Sequence, residues 1–185
     1  MPTLVGMISP THSDIKLSPN FWLSEFELST TAVRLGLRNE ADGAQISNLK
    51  RVAGCGEQIR SLLGNVPILI SSGLRTLIVN GVVKGLIAPD QIAQLGTRPE
   101  LMARLRADTS AHKDGRAIDF TAPGFGSPRE VVQRLMDSGL AFDQLIYEGR
   151  WVHFGLAKVG EEPRKQVMTA VFEPGRAVRY VRGLV

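Results

Sequence analysis

A chain of 185 residues, 43% of them apolar, is long enough to bury one substantial core and lies near the usual size of a single domain. A charged fraction of 22% with no low-complexity tract excludes a disordered or fibrous chain. The net charge of +4 would suit an anionic partner, but the arginines are scattered, with no basic stripe interleaved with aromatics, so nucleic acid is not expected.

No run reaches the roughly 18 apolar residues of a membrane span, and Met1 to Leu17 lacks the charged and apolar regions of a secretory signal, so a soluble chain with no membrane contact is expected. Cys55 is the one cysteine, which rules out an internal disulfide and leaves stability to packing and a bound metal.

Residues 1–19 read as an N-terminal arm, followed by an apolar and acidic entry segment from Phe21 to Phe26. Ser29 or Thr30 can cap a short helix ending near Gly36. From Ala44 to Leu63, Ile46, Leu49, Val52, Ile59 and Leu63 recur at steps that suit one helix face, and Gly64 stands where a terminating glycine belongs. Val66 to Ser71 reads as a buried strand, and a loop carrying Arg75 leaves its end.

Leu77 to Asp108 holds two short helical pieces, the second opened by the capping-box pattern Thr97-Arg98-Pro99-Glu100; residues 82–109 form a helical insert or lid. Ala117 to Phe120 is a short strand, and Ser127-Pro128-Arg129-Glu130 starts a helix that stops by Gly139. Asp143 to Tyr147 and Trp151 to Leu156 form a hairpin turning at Glu148-Gly149-Arg150, and strands at Gln166 to Phe172 and Ala177 to Val181 complete the sheet. The fold class is therefore α+β, a mainly antiparallel sheet with helices packed on one face.

In Ala117 to Phe120 the alternation of a strand sends Ile118 and Phe120 to one face and Asp119 to the other, where it can meet His112 across the turn that contains Gly115. The same alternation buries Val152, Phe154 and Leu156 and leaves Trp151, His153 and Gly155 opposite. Two imidazoles and one carboxylate are the ligands of several catalytic zinc sites, whose fourth position is left to water. A histidine on a strand is more often a hydrogen-bonded structural residue, and spacing alone does not decide between the two.

Ser71-Ser72-Gly73-Leu74-Arg75, Asn80, the run Ser110-x-His112-x-x-Gly115-x-Ala117-x-Asp119 and Trp151-x-His153, in that order, resemble the signature of the zinc D-Ala-D-Ala carboxypeptidases. That family includes phage L-alanyl-D-glutamate endopeptidases and shares the Hedgehog/DD-peptidase fold; the likeness runs from about Asn20 to Leu184, and the entry Phe21-Trp22-Leu23-Ser24-Glu25 resembles the phage-encoded members.

The resemblance implies one domain over 1–185 with His112, Asp119 and His153 on a single Zn2+, and Arg75 gripping a peptide carboxylate or a developing oxyanion. Ser110 would orient its loop or bond Asp119, Trp151 would line the pocket, and Asn80 occupies a family position that a turn asparagine also explains. Many members carry an acid three residues before the last histidine, where this chain has Arg150; Glu148 is the nearest carboxylate and is taken as the base, with Asp143 and Asp114 next in line. Leu74 replaces an aromatic frequent in the family, which would weaken a pocket contact.

The implied activity is hydrolysis of peptidoglycan stem peptide, at a D-Ala-D-Ala end or an L-Ala-D-Glu link, by a monomer of bacterial or phage origin held in the cytoplasm until release or delivery to the wall. The alternative is a metal-containing binding or phage structural module of the same fold, without turnover.

Overall fold

The computed structural model describes residues 14–185; the first part of the expected N-terminal arm, and most of the segment read for a secretory signal, lie outside these residues. The end of that arm is tied down. Lys16–Ser18 (β1) pairs antiparallel with Phe21–Trp22 (β2), and the Glu57 carboxylate accepts from the Ser18 hydroxyl at 2.7 Å and from the Asn20 backbone and side-chain amides at 2.7 and 2.8 Å.

Leu23–Glu27 (α1) and Thr30–Leu35 (α2) follow. Of the two expected caps it is Ser29 that acts, its hydroxyl accepting from the Ala32 N–H at 3.2 Å. Gly43–Leu62 (α3) starts one residue before the expected Ala44, because Asp42 and Gln45 close a reciprocal capping box at 2.8 Å each. Its Leu49, Val52, Ala53 and Ile59 are fully buried.

Leu69–Ser72 (β3) corrects the buried strand expected at Val66 to Ser71. It starts three residues later and runs along the sheet's edge, with Leu69 54% exposed. Asn65 has a left-handed backbone and Pro67 offers no N–H to a ladder, so pairing begins only after them. Val66 and Ile68 still pack on the core, which is what their apolar character recorded.

Leu77–Val83 (α4), a 3-10 turn at Pro89–Gln94 and Pro99–Ala107 (α5) make three helical pieces where two were expected. Thr97 does not cap α5: Arg98 holds that position, and the Thr97 hydroxyl bonds the Gln94 carbonyl at 3.2 Å. These pieces share a small apolar core of their own, in which Ile87, Leu101 and Leu105 are buried among Leu77, Ile78 and Val82.

Ala117–Thr121 (β4), Pro128–Met136 (α6), Gln144–Tyr147 (β5), Val152–Gly155 (β6), Gln166–Val171 (β7) and Arg179–Arg182 (β8) match the expected elements to within a few residues. Ser127 and Glu130 form a reciprocal capping box at the expected start of α6. The sheet has six strands in the order β3-β4-β6-β5-β7-β8, antiparallel throughout except where β7 lies parallel to β5.

Phe26 of α1, Leu49, Val52 and Ile59 of α3 and Val131, Val132 and Leu135 of α6 pack with Ile118, Phe120, Leu145, Val152 and Phe154 in one core. The expected α+β class, with a mainly antiparallel sheet, is what forms, and α1, α3 and α6 share the core on one face. Among the described residues no helix is long and apolar enough to cross a membrane.

Candidate metal centre

Register decides which residues meet on the open face of the sheet. Ser72 lies opposite Asp119, Asp119 opposite His153, His153 opposite Ile146, Ile146 opposite Met168 and Met168 opposite Arg182. Cross-strand partners share a face, so these form one row, and the neighbours of Asp119 and His153 in sequence fall into the core.

His112 reaches that row from the turn Ala111–Asp114, which Gly115 ends in a left-handed conformation. A Cβ at Gly115 would stand 3.0 Å from the Gln45 carbonyl and 3.1 Å from Leu49, so glycine serves both the turn and the close approach to α3.

Three donor atoms converge. His153 Nδ1 is 2.8 Å from Asp119 Oδ1, His112 Nε2 is 3.2 Å from the same oxygen, and the two imidazole nitrogens are 3.1 Å apart. Tetrahedral zinc with bonds of about 2.0–2.1 Å spaces its donors by about 3.3 Å, so the cluster fits a small divalent cation. All three residues are buried.

The tautomer of His112 fits as well. Its Nδ1 lies 2.6 Å from the Gly73 carbonyl, which can only accept, so Nδ1 carries the proton and Nε2 offers a lone pair to the centre. Burial holds the His112 pKa below the ordinary imidazole value, against the pull of Asp119. For Asp119, burial alone would raise the pKa, but when His112 and His153 carry protons their charges and hydrogen bonds outweigh it and hold the carboxyl well below the usual range. A neutral imidazole and an ionised carboxylate are the forms a metal takes up.

Gly73 is also a packing point. A Cβ there would lie 2.7 Å from both the Cα and the carbonyl oxygen of Phe26, backbone atoms that cannot yield. Gly73→Ala is expected to cost about 1–3 kcal/mol in thermal unfolding of the metal-free chain, as overpacked sites do. It should also weaken metal binding, because the displaced carbonyl no longer orients His112.

The triad lies in a cleft of about 660 Å3 whose walls include Arg75, Lys84, Ser110, Glu148, Trp151 and Tyr180. Arg75 is anchored: its Nη2 contacts Asp119 Oδ2, its Nε donates to the Ser72 hydroxyl at 2.8 Å, and Nη1 has no protein partner among the described residues. Ser110 lines the cleft but is not a partner of the Asp119 carboxylate; its backbone N–H is held by Asp108 at 3.0 Å. Trp151 lines the cleft with its indole N–H buried, close to the Glu148 carboxylate and without a partner at full hydrogen-bond geometry among the described residues.

Asn80 is neither a turn residue nor part of the cleft wall. It lies in α4, 1% exposed, donating to Asp108 Oδ2 at 2.8 Å. Leu74, the position where the family often has an aromatic, is fully buried in the main core rather than in the pocket.

The carboxylates near the site now separate. Asp143 is taken up by Arg164, which donates through its backbone N–H at 2.9 Å and through its guanidinium. Asp114 pairs with Arg116 at 3.0 Å and does not line the cleft, so it serves the turn. Glu148 continues β5 two residues beyond Ile146, on the side of the triad, and makes no ion pair among the described residues. Its pKa is raised, by burial first and by the Asp119 charge second, with His153 and Arg75 opposing.

Tyr180 was not singled out from the sequence. Its place on β8, two residues from Arg182 on the triad's face, could have been read from the alternation, but nothing in the sequence fixes that strand beside the site.

The fold and site thus define an α+β protein with a buried His–Asp–His group able to hold a metal ion in an open cleft. Compared with known protein families and curated proteins, the chain matches none.

Proposed function

We propose that this chain is a zinc-dependent peptidase of the Hedgehog/DD-peptidase fold that cuts stem peptides of bacterial peptidoglycan. The observation that carries the reading is the convergence of His112 Nε2, Asp119 Oδ1 and His153 Nδ1 within 3.2 Å in a cleft that also holds Glu148. The ordered likeness to the zinc D-Ala-D-Ala carboxypeptidases supplies the substrate class.

When bound, zinc provides a Lewis acid for the scissile carbonyl and acidifies a water. Glu148 takes the proton of the attacking water and returns it to the leaving amine; a raised pKa suits a group that must both accept and give. Arg75, fixed by Ser72 and Asp119, turns its remaining Nη1 donor to a substrate carboxylate or to the oxyanion.

Chelation should abolish hydrolysis of purified peptidoglycan and one equivalent of zinc should restore it. Hydrolysis that persists after complete metal removal would defeat the proposal.

A further inference from the structure

The ligand-bearing turn is held at its two ends by different parts of the fold. Its second half is fastened to α3, where Gln45 Nε2 donates to the Lys113 carbonyl and Asn48 Nδ2 to the Asp114 carbonyl, both at 2.9 Å. The first half, residues 109–111, precedes His112 and forms part of the cleft wall. Its backbone bonds run within the turn, from Lys113 to Ser110 and from Arg116 to Ala111.

His112 itself is pinned by the Arg75 N–H on its carbonyl at 3.1 Å and by the Gly73 carbonyl on Nδ1. The side chain that ties residues 109–111 to α4 is Asp108. Its side chain is 7% exposed and accepts from three donors: the Ser110 N–H at 3.0 Å and Asn80 Nδ2 at 2.8 Å on Oδ2, and Lys84 Nζ on Oδ1. Asn80 and Lys84 both belong to the α4 end, one helical turn apart. The Asp108 carbonyl in turn accepts from Lys113 Nζ. A single buried carboxylate therefore joins α4 to the peptide that sets the approach of His112.

The support behind it is rigid. A Cβ on Gly81, the residue after Asn80, would lie 2.1 Å from Leu105 Cδ2, so α4 and α5 are pressed together in the small core of the 77–105 region. Lys84, held by Asp108, also stands in the cleft wall with Val83.

We infer that Asp108 is a positioning residue for the metal centre: through Asn80 and Lys84 it uses the 77–107 helical region to fix the Ser110–His112 segment, and so sets metal affinity without touching the metal, resting on the zinc reading of the triad. Side chains that orient metal ligands typically change metal affinity by about 10–100-fold when removed. The helical region is then part of the site's scaffold, in addition to being one of its walls.

The test is zinc titration of the metal-free full chain against a competing chromophoric chelator, with Co2+ absorption reporting ligand geometry. Asp108→Ala should bind zinc about 10–100-fold more weakly than wild type and show altered Co2+ bands, while keeping a cooperative unfolding transition. Asp108→Asn should recover part of the loss, since one side-chain oxygen can still accept from Ser110 and Asn80; it also decides the matter if the alanine variant does not fold. Zinc affinity and Co2+ bands within twofold of wild type in the folded variants would overturn the role of Asp108 and leave the metal centre standing. A wild type that binds no zinc would overturn the metal reading, and this role with it.

Discussion

His153→Ala should cost the chain its metal, lowering zinc affinity by more than about 100-fold, and peptidoglycan hydrolysis should fall to background. The basis is geometric. Nδ1 of His153 lies within 3.1 Å of both other donor atoms, and the strand that carries it is locked between β4 and β5. Asp143 is held by Arg164 and Asp114 lies outside the cleft, so neither stands ready to replace it. The fold should survive, since Val152 and Phe154 on the core face are untouched. Titration of zinc into the metal-free variant, beside wild type, measures the loss; affinity within a few fold of wild type would remove His153 from the ligand set.

Glu148→Gln is expected to lower kcat by about 10²–10⁴-fold while zinc still binds, because glutamine keeps the shape but cannot take a proton. The effect should sit in kcat with KM little changed. Burial and the Asp119 charge raise the carboxyl in the metal-free chain, and the acid limb of kcat/KM should follow this group. Activity is lost as pH falls through its pKa, which the bound cation lowers from the metal-free position. Steady-state kinetics across pH check both statements. Undiminished turnover in the variant would exclude Glu148 as the base, whereas a zinc-loaded wild type without any turnover would favour the alternative of a metal-containing module that only binds.

The two strands that present Asp119 and His153 were readable because each alternates strictly: Ile118 and Phe120 fall in the core with Val152 and Phe154, and the ligands are left on the far face. Gly115 was readable as the turn that lets His112 reach them. Glu148 is the carboxylate at the hairpin tip, and its register two residues past Ile146 explains why that tip faces the site.

Other features depend on partners far away in the chain and leave no local trace. An apolar run such as Val66 to Ile70 does not record whether its strand is central or at an edge; that follows from β4 having β6 on its other side. The parallel placement of β7 beside β5 puts β8, and with it Tyr180, next to the cleft, and no spacing in the sequence announces it. Asp108 reads as an ordinary residue after a helix. Its meaning comes from Asn80 and Lys84, 28 and 24 residues earlier. Asn80 reads equally as a family position and as a turn asparagine, and only the packing of α4 shows that its amide is aimed at Asp108.

The measurement that bears most directly on the zinc-peptidase reading is mass analysis of purified peptidoglycan incubated with the zinc-loaded chain. The expected result is new stem-peptide products from cleavage at a D-Ala-D-Ala or an L-Ala-D-Glu bond, absent with chelator and absent with the Glu148→Gln variant. Peptidoglycan left unchanged by a chain shown to carry one zinc would contradict it.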